Sequence, residues 1–261
     1  MGDGTDAARR ALVTGASRGI GLAVVTALLD DDADVRVVAV ARRATPQLTA
    51  LAEAGRVRIL EADLSESDGS DRIAEAAGAV DILVNNVGAT TPHPDGFLST
   101  TDADWTTALN LNLLAATRVT RSVLPGMLER GHGHIVTISS VNARLPDPLV
   151  VEYSAAKAAL SNFSLALSKE FAPRGIRVNT ISPGPVATDL WLGADGVAQT
   201  VSRASGASPD DVAHGAAAQS STGRFTTPAE VAALVVFLVS EASANITGAD
   251  IRIDGGLIGT V

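Results

Sequence analysis

Short runs of β-branched and aliphatic residues alternate with longer stretches of helical periodicity along this whole sequence of 261 residues. The runs cover residues 11–14, 35–41, 57–61, 82–85, 134–138, 177–181 and 250–253. Strands separated by helices predict βαβ units with right-handed crossovers, which build a mainly parallel sheet covered by helices on both faces. The sequence therefore predicts a doubly wound α/β fold with about seven parallel strands.

One domain is predicted over residues 1–261, because no linker, repeat or low-complexity tract divides the chain. Apolar residues make up 46% of the sequence and charged residues 19%, a balance that excludes intrinsic disorder. The interval 189–224 is irregular and rich in Gly, Ser, Ala and Asp. Because long segments of this kind often cover binding sites, we predict that it is a substrate-binding lid.

Charge and hydropathy exclude several classes of partner. The chain carries 20 basic and 29 acidic residues, so the basic stripe that binds nucleic acid is missing. The longest apolar run, 231–239, is nine residues long, whereas about 20 are needed to cross a bilayer.

The first ten residues hold no apolar stretch typical of a signal peptide, which favours a cytoplasmic location. No metal site is expected, because the pair His132 and His134 has no recognisable third ligand.

The segment 11–21, ALVTGASRGIG, places Gly15, Gly19 and Gly21 between a hydrophobic strand and an aliphatic helix. Glycines let the backbone turn tightly and approach a pyrophosphate, whose charge is stabilised by free N–H groups and the dipole of the helix. The same residues match the G-x-S-x-G nucleophile elbow of hydrolases, with Ser17 as the nucleophile. That interpretation leaves Gly21 unexplained and finds no histidine in a triad context, so the segment predicts a nucleotide site.

Tyr153 and Lys157 stand four residues apart at the start of a predicted helix that runs to Phe171. This spacing places the phenol and the ammonium group on one helix face. A free tyrosine has a pKa of about 10, but a neighbouring cation favours the phenolate and makes proton transfer near neutral pH feasible. The pair is therefore a candidate for general acid/base catalysis.

These motifs together resemble the short-chain dehydrogenase/reductase family, in particular its members that act as 3-oxoacyl-acyl-carrier-protein reductases. The resemblance spans residues 11–256 and is carried by the cofactor loop 14–21, the N-N-V-G element 85–88, Ser140 thirteen positions before Tyr153, and Pro183-Gly184 after the next strand. One departure is Val87, where the family usually has alanine. The resemblance implies a single Rossmann-type domain.

The resemblance also assigns catalytic roles. Tyr153 would be the acid/base, Lys157 would lower its pKa and hold the nicotinamide ribose, and Ser140 would bind the substrate oxygen. Asn112 matches the helix asparagine that supports a water chain for proton relay. Ser139 competes with Ser140, since neighbouring strand residues point to opposite faces of a sheet, and the spacing to the tyrosine favours Ser140.

The second predicted strand ends without the acidic residue that NAD-binding proteins use to hold the ribose 2′-hydroxyl. Arg18 in the glycine loop and Arg42 after the strand would instead flank a 2′-phosphate, which suits the planar guanidinium group. We therefore predict that NADP(H) is the preferred cofactor, with NAD(H) as the alternative.

The full predicted cofactor site combines the glycine loop, the arginines and the positions that the resemblance adds. In the family, the residue at Asp63 contacts the adenine and the residue at Thr188 holds the carboxamide. The predicted set is Gly15, Ser17, Arg18, Gly19, Ile20, Gly21, Arg42, Arg43, Asp63, Leu64, Asn86, Gly88, Tyr153, Lys157, Pro183, Gly184, Val186 and Thr188.

The expected function is the interconversion of a ketone and a secondary alcohol, by hydride transfer to or from a nicotinamide cofactor. A catalytically silent nucleotide-binding protein with a regulatory or scaffold role is the alternative. The helix with Asn112 and the helix 153–171 carry apolar residues on more than one face, which favours burial against another subunit. We expect a homotetramer or homodimer that acts on a small-molecule carbonyl or alcohol substrate.

Overall fold

The computed structural model describes residues 8–66 and 69–259, and it contains one sheet of seven strands. The strands are β1 (Arg10–Thr14), β2 (Arg36–Ala41), β3 (Val57–Glu61), β4 (Ile82–Asn85), β5 (Gly133–Ile138), β6 (Ile176–Pro183) and β7 (Asp250–Ile253). The helices are α1 (Gly19–Asp31), α2 (Pro46–Glu53), α3 (Gly69–Ala77), α4 (Asp102–Leu109), α5 (Ala115–Arg130), α6 (Val151–Phe171), α7 (Asp189–Leu192), α8 (Val197–Ser205), α9 (Pro209–Ala218) and α10 (Pro228–Val239). Each predicted strand is present, with ends that differ from the prediction by at most two residues.

The strand order is β3-β2-β1-β4-β5-β6-β7, and all neighbouring strands are parallel. The chain runs outward from β1 to β3 and then returns to place β4 on the other side of β1. In such sheets, ligands bind outside the carboxyl ends of the strands where the order reverses. The predicted doubly wound α/β fold is confirmed, and its binding crevice is expected beside β1 and β4.

Helices cover both faces of the sheet, and each face has its own hydrophobic cluster. Neighbouring residues of β1 contribute to different clusters, Val13 to the first and Leu12 to the second, as expected of a strand buried on both faces. Val24 of α1 packs in the first cluster, whereas Val123 and Met127 of α5 pack in the second. The helices packed on both faces of the sheet therefore fix the strand ends that carry the site.

The apolar run 231–239 belongs to α10 and serves the core. Val231, Val235 and Leu238 are almost fully buried in the cluster shared with α1. Within residues 8–66 and 69–259, no helix is long and apolar enough to span a bilayer.

The segment 189–224 is more ordered than the sequence suggested, because it contains α7, α8 and α9. Gly206 adopts the left-handed conformation that ends α8, with φ of 78°. Ser208 then caps α9, its hydroxyl accepting a hydrogen bond from the Asp211 N–H, and Pro209 occupies the first helical position. The prediction of an irregular segment was therefore wrong, since these caps and the alanines between them favour short helices.

Candidate active site

The carboxyl ends of β1, β4, β5 and β6 open onto one crevice. β1 leads into the glycine loop, β4 leads into the segment around Gly88, and β5 ends just before Ser139 and Ser140. Pro183 ends β6, and α6 brings Tyr153 and Lys157 to the same edge. Five separate stretches of sequence thus meet at the point where the strand order reverses.

The glycine loop is shaped by close backbone contacts. Gly15 and Gly19 have φ angles of 65° and 55°, which favour glycine. The Asn86 Nδ2 donates to the carbonyl oxygens of Thr14 and Gly15, at 2.9 Å and 3.2 Å. Arg18 precedes the first turn of α1 without a side-chain cap, so N–H groups at this helix start are available to an anion. The loop fits a pyrophosphate.

Gly21 has no room for a side chain, because an added Cβ would lie 2.2 Å from the Gly15 carbonyl oxygen. We expect Gly21→Ala to lower the free energy of unfolding by about 2 kcal/mol or more, since the obstructing atom belongs to the backbone. Nucleotide binding should be lost as well, because the loop must open. Urea denaturation and nucleotide titration would measure both effects.

Gly215→Ala is a matched control, because nothing lies within 4 Å of a Cβ at this position of α9. It should stabilise the protein by up to about 1 kcal/mol through a higher helix propensity. Equal stabilities of the two variants would contradict a tightly packed loop at Gly21.

Ser140 and Tyr153 face each other at the end of β5. A hydrogen bond with the Ser140 side chain lowers the pKa of Tyr153, but burial of the phenol has the larger effect and raises it above the usual value. The Ser140 hydroxyl also accepts a hydrogen bond from the Asn142 N–H at 3.1 Å, which fixes its position. The net pKa direction is opposite to the one implied for a phenol beside a lysine, because desolvation exceeds the favourable contact.

Lys157 lies on the same face of α6 and is 3% exposed. Its Nζ donates to the Ile138 carbonyl oxygen at 2.9 Å and lies 5.6 Å from the centroid of the Tyr153 ring. Burial lowers the pKa of Lys157 to about 8. The ammonium group is therefore still mostly protonated at neutral pH, close to the phenol.

Asn112 lies in a π-helical turn, Asn110–Leu114, between α4 and α5. Its Oδ1 accepts a hydrogen bond from the Ala89 N–H, and its Nδ2 donates to the carbonyl oxygens of Ala89 and Ala108, at 3.1, 2.9 and 3.0 Å. Such π-helical turns frequently occur at functional sites. The side chain of Asn112 thus fastens Ala89.

Gly88 lies between Asn112 and Lys157, because a Cβ there would lie 2.8 Å from Asn112 Oδ1 and 3.2 Å from Lys157 Nζ. The four predicted catalytic residues are therefore gathered on one side of the crevice.

Ser139 and Ser140 point in different directions. The Ser139 hydroxyl donates to the Lys157 carbonyl oxygen at 3.2 Å and lies 2.8 Å from the Ser161 hydroxyl, so it holds α6 against the sheet. Only Ser140 is directed towards the Tyr153 hydroxyl. This arrangement agrees with the spacing argument, which favoured Ser140.

The predicted cofactor residues lie at several places around the crevice. Thr188 lies over the glycine loop, 3.2 Å from a Cβ placed on Gly19, and its N–H donates to the Val186 carbonyl oxygen. Gly184 packs against Asp254, where a Cβ would approach the Asp254 Cα to 3.0 Å. The other members are placed as follows: Ser17, Ile20, Asn86 and Gly88 along the crevice beside α1 and β4, Leu64 and Pro183 buried, and Arg42 and Arg43 exposed after β2.

Two predicted arginines have acidic neighbours. Arg18 Nη1 lies 3.2 Å from Asp189 Oδ2 in an exposed ion pair, which links the glycine loop to the start of the predicted lid. Hydrogen bonds from Ser65, together with the positive charge of Arg42, hold the pKa of Asp63 below its usual value. The sequence interpretation did not include Asp189 among the site residues, because the contact joins segments far apart in the chain.

His93 and Glu152 were also missed as neighbours of the site. His93 Nε2 lies 3.3 Å from Glu152 Oε1, and Glu152 immediately precedes Tyr153. An acidic residue directly before the candidate catalytic tyrosine was the available signal, but its partner follows a different strand. Among the described residues, no cluster of three or more His, Cys, Asp or Glu side chains is arranged to hold a metal.

Comparisons with known proteins agree with this geometry. A family model described as enoyl-(acyl carrier protein) reductase matches residues 15–258. The acetoacetyl-CoA reductase of Allochromatium vinosum is 38% identical, over 96% of this chain and 98% of its own. The 3-oxoacyl-[acyl-carrier-protein] reductase of Escherichia coli is 34% identical, over 95% of this chain and 96% of its own.

A solved structure extends the likeness to three dimensions. L-sorbose reductase from Gluconobacter frateurii, in complex with NADPH and L-sorbose, superposes with a TM-score of 0.87 and 31% identity over 98% of both chains. The family match and the relatives cover nearly the whole chain. The chain belongs to the short-chain dehydrogenase/reductase family and is an oxidoreductase of CH–OH groups and ketones that works with a nicotinamide nucleotide.

Proposed function

We propose that the protein is an NADP(H)-dependent reductase that interconverts a ketone and a secondary alcohol, with Tyr153 as the acid/base. The observation that carries this proposal is the group formed by Ser140, Tyr153 and the buried Lys157 beside the glycine loop. Acetoacetyl-CoA reductase and L-sorbose reductase, which both resemble this chain, are named for reductions of this kind.

The chemistry that a bound nicotinamide nucleotide supplies is hydride transfer to the carbonyl carbon. As the hydride arrives, negative charge grows on the carbonyl oxygen, and the Tyr153 O–H transfers its proton there. Ser140 donates a hydrogen bond to the same oxygen, and the Lys157 cation stabilises the phenolate left behind. Because burial raises the pKa of Tyr153, the phenol is protonated at neutral pH and ready for the reductive direction.

The residues of the crevice fit the nucleotide. Gly21 lets the glycine loop pack against the start of α1, because a Cβ there would meet the Gly15 carbonyl oxygen, and the start of α1 offers N–H groups for the pyrophosphate. Thr188 and the Val186 backbone would lie against the carboxamide, and Arg18 and Arg42 against a 2′-phosphate.

The preference for NADPH should depend on Arg18 and Arg42. Replacing either with alanine is expected to raise the KM for NADPH about tenfold, because each loses a charge-assisted hydrogen bond worth about 1.5–3 kcal/mol. The KM for NADH should change much less. Steady-state kinetics with both nucleotides would measure the difference.

Arg36→Ala is the control for this prediction, because Arg36 is exposed at the start of β2, at the edge of the sheet opposite the crevice. It should leave both Michaelis constants unchanged. Equal constants for NADH and NADPH in the unmodified protein would refute the preference for the phosphorylated nucleotide.

The packing of the segment 189–224 supports its proposed role as the substrate-binding lid. An apolar pocket of about 230 Å³, open to the surface, lies between α7, α9 and Phe225, and Trp191 meets Phe225 edge to face at 5.3 Å. Short helices around an open apolar pocket suit a segment that moves over a bound substrate. The lid, the cytoplasmic location and the homotetramer or homodimer remain predictions.

The direct test is oxidation of NADPH against a panel of ketones and 3-oxoacyl thioesters. Turnover of any member would support the proposal and would exclude the silent nucleotide-binding protein. The complete set of catalytic residues already disfavours that alternative. Tight NADPH binding without turnover of any ketone would favour it, and failure to bind either nucleotide would overturn the proposal.

A further inference from the structure

The loop between β4 and α4, residues 86–101, is attached to the rest of the protein on both sides of the crevice. Near its start, Asn112 holds the N–H and the carbonyl of Ala89. Further along, the His93 N–H donates to the Leu149 carbonyl oxygen at 2.7 Å. Leu149 lies in the 3₁₀ turn Pro148–Val150, which leads directly into α6. The loop therefore connects Gly88 to the helix that carries Tyr153.

A buried contact between an imidazole and a carboxyl group reinforces the second attachment. His93 Nε2 lies 3.3 Å from Glu152 Oε1, with the side chains 13% and 3% exposed. Neither His93 Nε2 nor Glu152 Oε2 has a hydrogen-bond partner among the described residues. Removing a carboxyl group from water is costly unless a polar partner lies beside it. The imidazole of His93 is the group in that position.

A second carboxylate also faces this imidazole. Hydrogen bonds from Thr101 hold the pKa of Asp104 below its usual value, and the charge of His93 contributes in the same direction. Asp104 belongs to the first turn of α4 and Glu152 to the first turn of α6. Acidic side chains from two different helices thus lie around this imidazole.

We propose that His93 and Glu152 are positioning residues, whose buried contact fixes the loop 86–101 to the start of α6 and so holds Tyr153 in register with Gly88 and Ala89. The inference rests on the proposed function, in which the substrate carbonyl must meet Tyr153. Small displacements of a reacting group are known to cost about 10²-fold in rate. Neither residue touches the reacting atoms in this scheme; both act through the placement of Tyr153.

The test is a double-mutant cycle with His93→Gln, Glu152→Gln and the double variant. His93→Gln leaves a buried carboxylate without its partner and should lower kcat about 10–100-fold. Glu152→Gln should have a smaller effect, because the amide keeps the size of the carboxyl group and an oxygen acceptor for the imidazole. The double variant holds two neutral side chains able to hydrogen-bond each other, and it should be more active than His93→Gln. The KM for NADPH should stay within about twofold throughout, because Asn86 and Val87 fasten the start of the loop to Thr14 without any contribution from the pair.

Hydrogen exchange provides a readout that needs no substrate. Amides of residues 90–101 and of the first turn of α6 should exchange about tenfold faster in His93→Gln, while those of residues 11–21 should not change. His132→Gln is the control, because His132 lies beside the amino end of β5, at the opposite edge of the sheet. It should leave both kinetics and exchange unchanged.

The outcomes separate this inference from the proposed function. If the unmodified protein reduces no ketone but exchange rises only in these two segments, the proposed function fails and the attachment stands. Unchanged exchange in both single variants would overturn the inference, as would strictly additive effects on kcat. If His93→Gln does not fold, the isosteric Glu152→Gln decides: faster exchange in the two segments supports the attachment, and wild-type exchange refutes it.

Discussion

Tyr153→Phe is expected to lower kcat/KM for ketone reduction by about 10³-fold or more, while NADPH binding stays within about twofold. The phenol is the proton donor in the proposed reaction, and its loss removes the acid as well as one stabilising contact to the carbonyl oxygen. General acid catalysis by one side chain contributes about 10²–10⁴-fold. Michaelis–Menten kinetics with NADPH and the best ketone, together with nucleotide titration, would measure both quantities.

The fold should survive this substitution. Phenylalanine fills the same volume, and the hydrogen bond that it removes, between Tyr153 and Ser140, is worth about 1 kcal/mol. Ser140→Ala keeps the proton donor and should cost less, about 10–10²-fold in kcat. Activity of Tyr153→Phe above a tenth of the original would show that another group supplies the proton.

The strands and the shared position of the candidate catalytic pair could be predicted because their signals are local. β1 to β7 are short apolar runs bounded by turns. A continuous apolar run is the pattern that predicts a parallel strand buried on both faces. The pair Tyr153 and Lys157 lies on one helix, where a spacing of four residues determines a shared face. Spacing to the tyrosine also separated Ser140 from Ser139, and the structure points the two hydroxyls in opposite directions.

Other features depend on contacts between distant segments, which a single sequence does not encode. His93 and Glu152 follow different strands, and Arg18 meets Asp189 only because α7 folds over the glycine loop. The helices in 189–224 were missed because Gly and Ser mark caps as often as irregular loops. The pKa of Tyr153 was expected in the wrong direction because burial is a property of the folded protein.

Lys157→Met should abolish most activity and yet make the protein more stable at neutral pH. The side chain is 3% exposed, and burial lowers the pKa of its ammonium group from 10.5 to about 8. At pH 7 the folded protein therefore holds a buried charge that the unfolded chain solvates freely. A shift of this size corresponds to a destabilisation of about 3 kcal/mol, since one pKa unit is worth about 1.4 kcal/mol.

Methionine keeps an unbranched apolar side chain but removes the charge, and it leaves the Ile138 carbonyl oxygen without its donor, at a cost of about 1 kcal/mol. We expect a net rise of about 1–2 kcal/mol in the free energy of unfolding at pH 7. Because the folded pKa lies below the unfolded one, the destabilisation by Lys157 is complete below about pH 8 and disappears as the pH rises towards 10.5. The advantage of the variant should shrink over the same range.

Urea denaturation at several pH values between 6 and 10 would follow this change, and kcat should fall about 10²-fold or more because the cation no longer stabilises the Tyr153 phenolate. Lys169→Met is the matched control, since Lys169 is exposed in the last turn of the same helix. It should alter stability by less than about 0.5 kcal/mol, through the helix dipole, and leave kcat unchanged. A variant at Lys157 that was both inactive and less stable than the original would show that the lysine holds the fold together. A variant that is more stable but slower, as we expect, would show instead that the buried charge of Lys157 serves catalysis.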